Sequence, residues 1–150
     1  MESGKINYAG VIGAAAGFVG LLGLATGWFT DGIRVVEGTV DVSGKLAFAM
    51  SIATFVFGGA YILMSDAAIR RAMGALMTLC AVLLTLSCLW GLQRAGDVAP
   101  NVDPDKGLFL SALGGLLGIC AGLLALQASM KADEAAKTAS EPSPAPASGE

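Results

Sequence analysis

The three cysteines, Cys80, Cys88 and Cys120, are the side chains of this sequence best suited to redox chemistry or metal binding. All three lie inside long apolar stretches, and no two of them have the Cys-x-x-Cys spacing of a thiol oxidoreductase. Histidine is absent from the chain, which removes the commonest haem and metal ligand and the usual general base. We therefore interpret the cysteines as small packing residues, and we predict no catalytic residue, no cofactor and no metal.

A second candidate site is the segment from Asn101 to Gly107, in which oxygen-bearing side chains alternate as they do in calcium-binding loops. Its sixth position holds Lys106 where such a loop needs glycine, and Ala112 occupies the position of the bidentate acid. The pattern therefore favours a proline-containing turn, with a calcium site as the alternative.

Four apolar runs would have to position any such group. Hydrophobic residues make up 55% of the 150-residue chain and charged residues only 14%, whereas soluble domains carry about 25% charged residues. Each run contains no Asp, Glu, Lys or Arg and is long enough to cross a bilayer; the runs are residues 8–29, 46–64, 72–92 and 108–126. We predict an all-α fold, a four-helix transmembrane bundle over residues 1–130, followed by a disordered cytoplasmic tail over residues 131–150.

The charge distribution excludes several functions. An ionisable group at membrane depth is the usual marker of a proton path or a charged substrate, so uncharged runs argue against a proton-coupled exporter. The net charge is −3 and no Lys/Arg cluster exceeds two residues, which argues against nucleic acid as a partner on electrostatic grounds. The expected partners are the lipid bilayer and other membrane-protein subunits, and no small-molecule substrate is inferred.

Each run carries a stripe of small residues spaced three or four residues apart, so that the stripe follows one helix face. Such a face lets helix backbones approach closely in lipid. We predict that the helices pack on one another through these faces; the alternative is contact with a larger partner. The stripes comprise Gly10, Gly13, Gly17, Gly20 and Gly27, with Leu24 filling the one gap; Ala47, Ser51, Thr54 and Gly58; Gly74, Thr78, Ala81, Thr85 and Cys88; and the double GxxxG motif of Gly114, Gly118 and Gly122, extended by Gly107 and Ser111.

The polar segments predict the rest of the architecture. Two β-type tetrads about Glu37-Gly38 predict a short extracytoplasmic β-hairpin within Ile33–Ser43, which is either a linker or a recognition surface. Trp28, Phe29 and Trp90 are expected at the membrane interfaces as aromatic anchors. The Arg70-Arg71 pair in a short turn places that turn and both termini in the cytoplasm of a multi-pass plasma-membrane protein. In the tail, a helical extension to about Lys137 is expected.

Four features suggest a family resemblance: the aromatic pair Trp28-Phe29, the loop ending in Val42-Ser43-Gly44-Lys45-Leu46, the basic turn Arg70-Arg71 and the pair Gly114-Gly115. Over about residues 8–127 the chain resembles small four-span actinobacterial membrane proteins of no known function. Its layout is also similar in topology to claudin-like four-span proteins, which have β structure in the first outer loop. The disulfide pair of that loop has no counterpart here, and topology alone implies no shared function.

The sequence thus favours a non-enzymatic integral membrane protein, a small accessory or structural subunit packed against a larger envelope or bioenergetic complex. The alternative is a small oligomeric channel or carrier. A membrane enzyme is the third hypothesis, for which the sequence offers no catalytic constellation. A channel needs a wettable lining, and the hydroxyl groups available for one are those of Ser51, Thr54, Thr78, Thr85, Ser87 and Ser111.

Overall fold

The computed structural model describes residues 7–30, 35–37, 42–98 and 103–140. Within these ranges, four helices each have the length and apolar composition needed to cross a membrane. The elements in chain order are α1 (Tyr8–Ala25), β1 (Gly27–Thr30), β2 (Val35–Glu37), α2 (Val42–Leu63), α3 (Ala67–Val98), β3 (Asp103–Pro104) and α4 (Lys106–Ser140). The predicted fold class, a four-helix bundle with a small β element, is confirmed.

The helices form an antiparallel ring in which each packs mainly on its two neighbours and α4 closes against α1. At one end the side-chain amide of Asn7 (Nδ2) donates to the Tyr61 carbonyl oxygen (3.4 Å), and the Tyr61 hydroxyl donates to the Ala125 carbonyl oxygen (3.3 Å). These bonds join the start of α1, the end of α2 and the second half of α4. We call this the turn end, because the α2–α3 turn lies there, and the opposite end, with the strands, the sheet end.

The turn between α2 and α3 is short because its last residue caps the next helix. The Asp66 Oδ1 atom accepts hydrogen bonds from the amides of Ala68 and Ile69, at 2.9 and 3.0 Å. This is the usual way in which an aspartate satisfies the unpaired amides of a first helical turn. The cap starts α3 at Ala67, five residues before the predicted apolar run.

The first span is shorter than the predicted run of residues 8–29. Helix α1 ends at Ala25, and Thr26 has an extended backbone (φ −96°, ψ 162°) while its hydroxyl donates to the Gly23 carbonyl oxygen. The next residues form β1. The prediction that Trp28 is an anchor at the membrane interface is wrong, because its side chain is only 1% exposed and lies inside the bundle.

The strands form one antiparallel sheet in the order β2–β1–β3. Thr30 pairs with Val35 on one side and with Asp103 on the other. The predicted hairpin within Ile33–Ser43 differs at the points that the structure describes: β2 pairs with the preceding strand β1, and Val42 and Ser43 belong to α2 instead of a second strand. Residues 33–34 and 38–41 of that hairpin lie outside the described ranges.

The last two helices are longer than their apolar runs. Helix α3 continues to Val98, beyond the predicted limit at residue 92, and α4 continues to Ser140. Residues 131–140 of the predicted tail are thus helical, three residues beyond the expected extension to about Lys137. Residues 141–150 lie outside the described ranges.

Candidate functional site

The glycine stripe of α1 contacts α2 and α4 backbone to backbone. A methyl group added at Gly17 would lie 2.7 Å from the Ser51 carbonyl oxygen and from the Cα of Phe55, both on α2. A methyl group added at Gly114 of α4 would lie 2.6 Å from the Gly20 amide nitrogen. Real side chains do not tolerate these distances, so glycine is what allows α1 to approach both neighbours.

The small residues of α3 lie opposite those of α4 in antiparallel order. A methyl group added at Gly118 would lie 2.8 Å from the Ala81 Cβ, and one added at Gly122 would lie 2.9 Å from the Thr78 Cβ. The facing pairs are Gly74 with Ala125, Thr78 with Gly122, Ala81 with Gly118, and Thr85 with Gly115. Both stripes therefore lie in contacts within the chain.

The hydroxyl groups between the helices bond mostly to their own helix. Four of them donate to the carbonyl oxygen four residues earlier, at 2.7–3.0 Å: those of Thr54, Thr78, Thr85 and Ser87. Ser51 Oγ is buried and has no hydrogen-bond partner within the described part of the chain. A bond back to the same helix satisfies the hydroxyl donor locally, so these groups do little to attract water between the helices.

The Trp28 indole closes the sheet end of the bundle. Its Nε1 atom donates to Ser111 Oγ (3.3 Å), and that hydroxyl donates to the Gly20 carbonyl oxygen (3.3 Å). A methyl group added at Gly91 would lie 3.2 Å from the indole ring, so this glycine makes room for it. The indole packs with a buried cluster of Leu24, Ala47, Leu84, Cys88 and Leu108. We call the indole and this cluster the sheet-end plug. It was not predicted from the sequence; the one signal that could have indicated it is the polar residue Thr26, which interrupts the first apolar run.

The residues first considered for chemistry do not converge. Cys80 and Cys88 are buried between helices, Cys120 is exposed on α4, and all three are free thiols. Of the residues described, no three His, Cys, Asp or Glu side chains come close enough together to hold a metal ion. In the predicted calcium-like segment, Asp105 donates its amide to the Trp28 carbonyl oxygen (2.8 Å), and its carboxylate accepts from the Lys106 amide (2.7 Å). Asn101 lies outside the described ranges.

Helix α2 is the least enclosed of the four. Only 28% of the residues in its apolar window are buried, against 39–44% in the other three helices. One outward stripe repeats the spacing of four and three residues, and a methyl group added at Gly59 in this stripe meets no atom within 4 Å. We call this stripe the outer face of α2; it consists of Phe48, Ile52, Phe55, Gly59 and Ile62, and at its edge the Ile62 side chain lies against Gly10 of α1.

Comparison with protein-family models, with curated proteins and with solved structures finds no match to this chain in any of the three. The resemblance to small four-span actinobacterial membrane proteins therefore stays a prediction. The function has to be inferred from the fold and from the surfaces that the bundle leaves uncovered.

Proposed function

We propose that this protein is a non-enzymatic accessory subunit that packs against a larger membrane complex through the outer face of α2. The observation that carries the proposal is the difference between the small residues of three helices and one glycine of α2. The stripes on α1, α3 and α4 are covered by other helices of the same chain, whereas Gly59 has open space around it. An uncovered glycine among large apolar side chains provides a recess into which a partner helix side chain can pack.

The spacing of the outer face supports a helix as the partner. Phe48, Ile52 and Phe55 are each 40–45% exposed, and Ile62 is 39% exposed. Positions that alternate four and three residues apart follow the 3.5-residue repeat, which keeps one face against a second helix over its whole length. The proposed occupant is therefore a transmembrane helix of another protein, crossing α2 at a shallow left-handed angle.

The alternative, an oligomeric channel or carrier, requires a wettable surface. The state of the hydroxyl groups supports the subunit over the channel, since those of Thr54, Thr78 and Thr85 donate to carbonyl oxygens of their own helices. The exposed side chains along the helices are mainly Leu, Phe, Ile and Val, which suit lipid or a helix better than an aqueous pore.

The proposed location is the plasma membrane, with the turn end in the cytoplasm. The basis is the Arg70-Arg71 pair at the start of α3. Basic residues in short loops next to membrane spans set orientation more strongly than those in long segments. In this orientation the three-stranded sheet faces the exterior.

The test is co-purification with two matched variants. In Gly59→Leu, a bulky side chain fills the recess at a position where an added Cβ atom meets no atom within 4 Å. The control is Ala15→Leu, which adds similar bulk at an exposed position of α1. Ala15 and Gly59 lie at about the same depth, because the residues that precede them, Ala14 and Gly58, face each other. We expect the wild type and Ala15→Leu to co-purify in gentle detergent with a partner at a fixed ratio, and Gly59→Leu to lose it.

Two results would contradict the subunit. One is purification of the wild type without any stoichiometric partner, combined with ion leakage from vesicles reconstituted with the pure protein, which would favour the channel. The other is equal retention of the partner by Gly59→Leu and by the wild type, which would remove the outer face of α2 as the contact.

A further inference from the structure

The two arginines at the turn end have different surroundings. The Arg71 guanidinium forms an ion pair with the Asp133 carboxylate on α4. The Arg70 guanidinium has no carboxylate partner within the described part of the chain. Its Nε atom donates to the Met64 carbonyl oxygen (2.6 Å). The guanidinium carbon, Cζ, lies 5.8 Å from the centre of the Tyr61 ring. Arg70 is thus a positive charge that is held in place but not neutralised.

The acidic residue nearest to Arg70 in the chain, Asp66, already accepts two hydrogen bonds. Asp66 uses Oδ1 to accept the amides of Ala68 and Ile69 at the start of α3. No described residue accepts a hydrogen bond from the terminal Nη nitrogens of Arg70. The planar guanidinium fork matches the oxygens of a phosphate group, with which it forms short, charge-assisted hydrogen bonds.

A crevice of about 160 Å³ lies beside this guanidinium, between the end of α2, the start of α3 and the second half of α4. It has room for about five water molecules at the volume each occupies in the liquid. Its walls are formed by small or polar residues, three of which (Tyr61, Ser65 and Ser129) carry a hydroxyl group. The lining residues are Tyr61, Ser65, Ala67, Arg70, Ala128, Ser129 and Ala132.

The position of the crevice indicates which phosphate it meets. It opens just beyond the apolar part of α2, where headgroups begin if the four helices cross a bilayer. Two exposed apolar side chains adjoin it in the chain, Leu63 at 82% and Ile69 at 42% exposure. Basic pockets between transmembrane helices commonly bind anionic lipid headgroups. We infer that this crevice binds the phosphate group of an anionic phospholipid, whose acyl chains lie along the neighbouring apolar surface.

The test is a lipid titration of the purified full chain in neutral detergent, followed by native mass spectrometry. The probes are dihexanoylphosphatidylglycerol and, as the zwitterionic comparison, dihexanoylphosphatidylcholine. We expect one phosphatidylglycerol to bind more tightly than phosphatidylcholine, and Arg70→Gln to weaken that binding about tenfold. The matched control is Arg94→Gln, since Arg94 also lies over an aromatic ring (Trp90, 6.0 Å) but outside the crevice, and it should bind like the wild type.

A second variant separates binding from folding. Ala132→Leu fills the crevice from an exposed position on α4 and leaves every charge in place; it should weaken phosphatidylglycerol binding as Arg70→Gln does. Unchanged binding in Ala132→Leu, or an equal loss in Arg94→Gln, would overturn the inference. Competition by inorganic phosphate at the concentration of the lipid would show that a soluble phosphate, and not a lipid, is the ligand.

Discussion

Two glycines on α1 and α2 differ in what a methyl group would meet. At Gly17 it would lie 2.7 Å from backbone atoms of α2, and at Gly59 it would meet nothing within 4 Å. The first glycine is needed because backbone atoms of a facing helix cannot move aside as a flexible side chain can. The second has no such role within the chain, and this contrast is the basis of the proposed partner surface.

We expect Gly17→Ala to destabilise the folded protein by about 1–3 kcal/mol, the usual cost of overpacking a tight contact. Gly59→Ala should instead stabilise it by about 0.5–1 kcal/mol, because the added methyl group meets no atom and alanine favours the helix over glycine. Both are measured by unfolding the protein from mild detergent with increasing SDS. Equal effects of the two substitutions would show that α1 and α2 do not meet at Gly17.

The two tryptophans also differ sharply. Trp28 is 1% exposed within the sheet-end plug, whereas Trp90 is 43% exposed on α3. Because the chain holds only these two tryptophans, Trp28→Phe and Trp90→Phe each leave a single fluorophore. In vesicles containing brominated lipid, we expect strong quenching of Trp90 in the first variant and weak quenching of Trp28 in the second. Similar quenching of both would place Trp28 at the lipid interface, as the sequence alone suggested.

At the scale of elements, α3 and α4 meet along a seam of small residues. The seam is antiparallel, and each position on one helix faces one position on the other, as Ala81 faces Gly118. Since the facing atoms belong to short, inflexible side chains, bulk added on one helix should be relieved only by removing bulk from the opposite position on the other.

A compensating pair tests this register. Gly118→Ala should destabilise the protein by about 1–3 kcal/mol, because its methyl group would lie 2.8 Å from the Ala81 Cβ. Adding Ala81→Gly should recover most of that loss, which a double-mutant cycle in the unfolding free energy measures as coupling. The control pair of Gly59→Ala with Ala81→Gly should be additive. Additivity in the first pair as well would contradict the seam.

The sequence predicts those elements that neighbouring residues determine, and it does not predict those that depend on contacts between distant residues. The four helices follow from apolar runs long enough to span a bilayer, which is a local property. The strand β1 lies inside the first apolar run, so the run concealed it although it pairs with the nearby strand β2; its second pairing, of Phe29 with Pro104, joins residues more than seventy apart in the chain. The burial of Trp28 likewise depends on residues distant in the chain, among them Leu84, Leu108 and Ser111. The recess at Gly59 and the crevice at Arg70 depend on how the helices surround them, which spacing alone does not give.

At the scale of the whole molecule, the bundle joins its helices through small residues and leaves large apolar side chains on its surface. The sheet end is closed by the indole of Trp28, and the turn end is joined by the bonds of Tyr61 to α1 and α4. The bundle needs no partner to cover its small-residue stripes, so a partner must use another surface. Of the four helices, α2 has the smallest buried share in its apolar window, and its outer face is the surface proposed for the partner.

Photo-cross-linking in native membranes tests the proposed partner surface most directly. A benzophenone analogue of phenylalanine replaces Phe48 on the outer face of α2 or, as matched controls, Phe18 on α1 or Phe109 on α4, which are 45%, 53% and 61% exposed. We predict that irradiation attaches a discrete protein partner at Phe48, and lipid alone at Phe18 and Phe109. Protein adducts of equal yield at all three positions, or lipid adducts alone at Phe48, would contradict it.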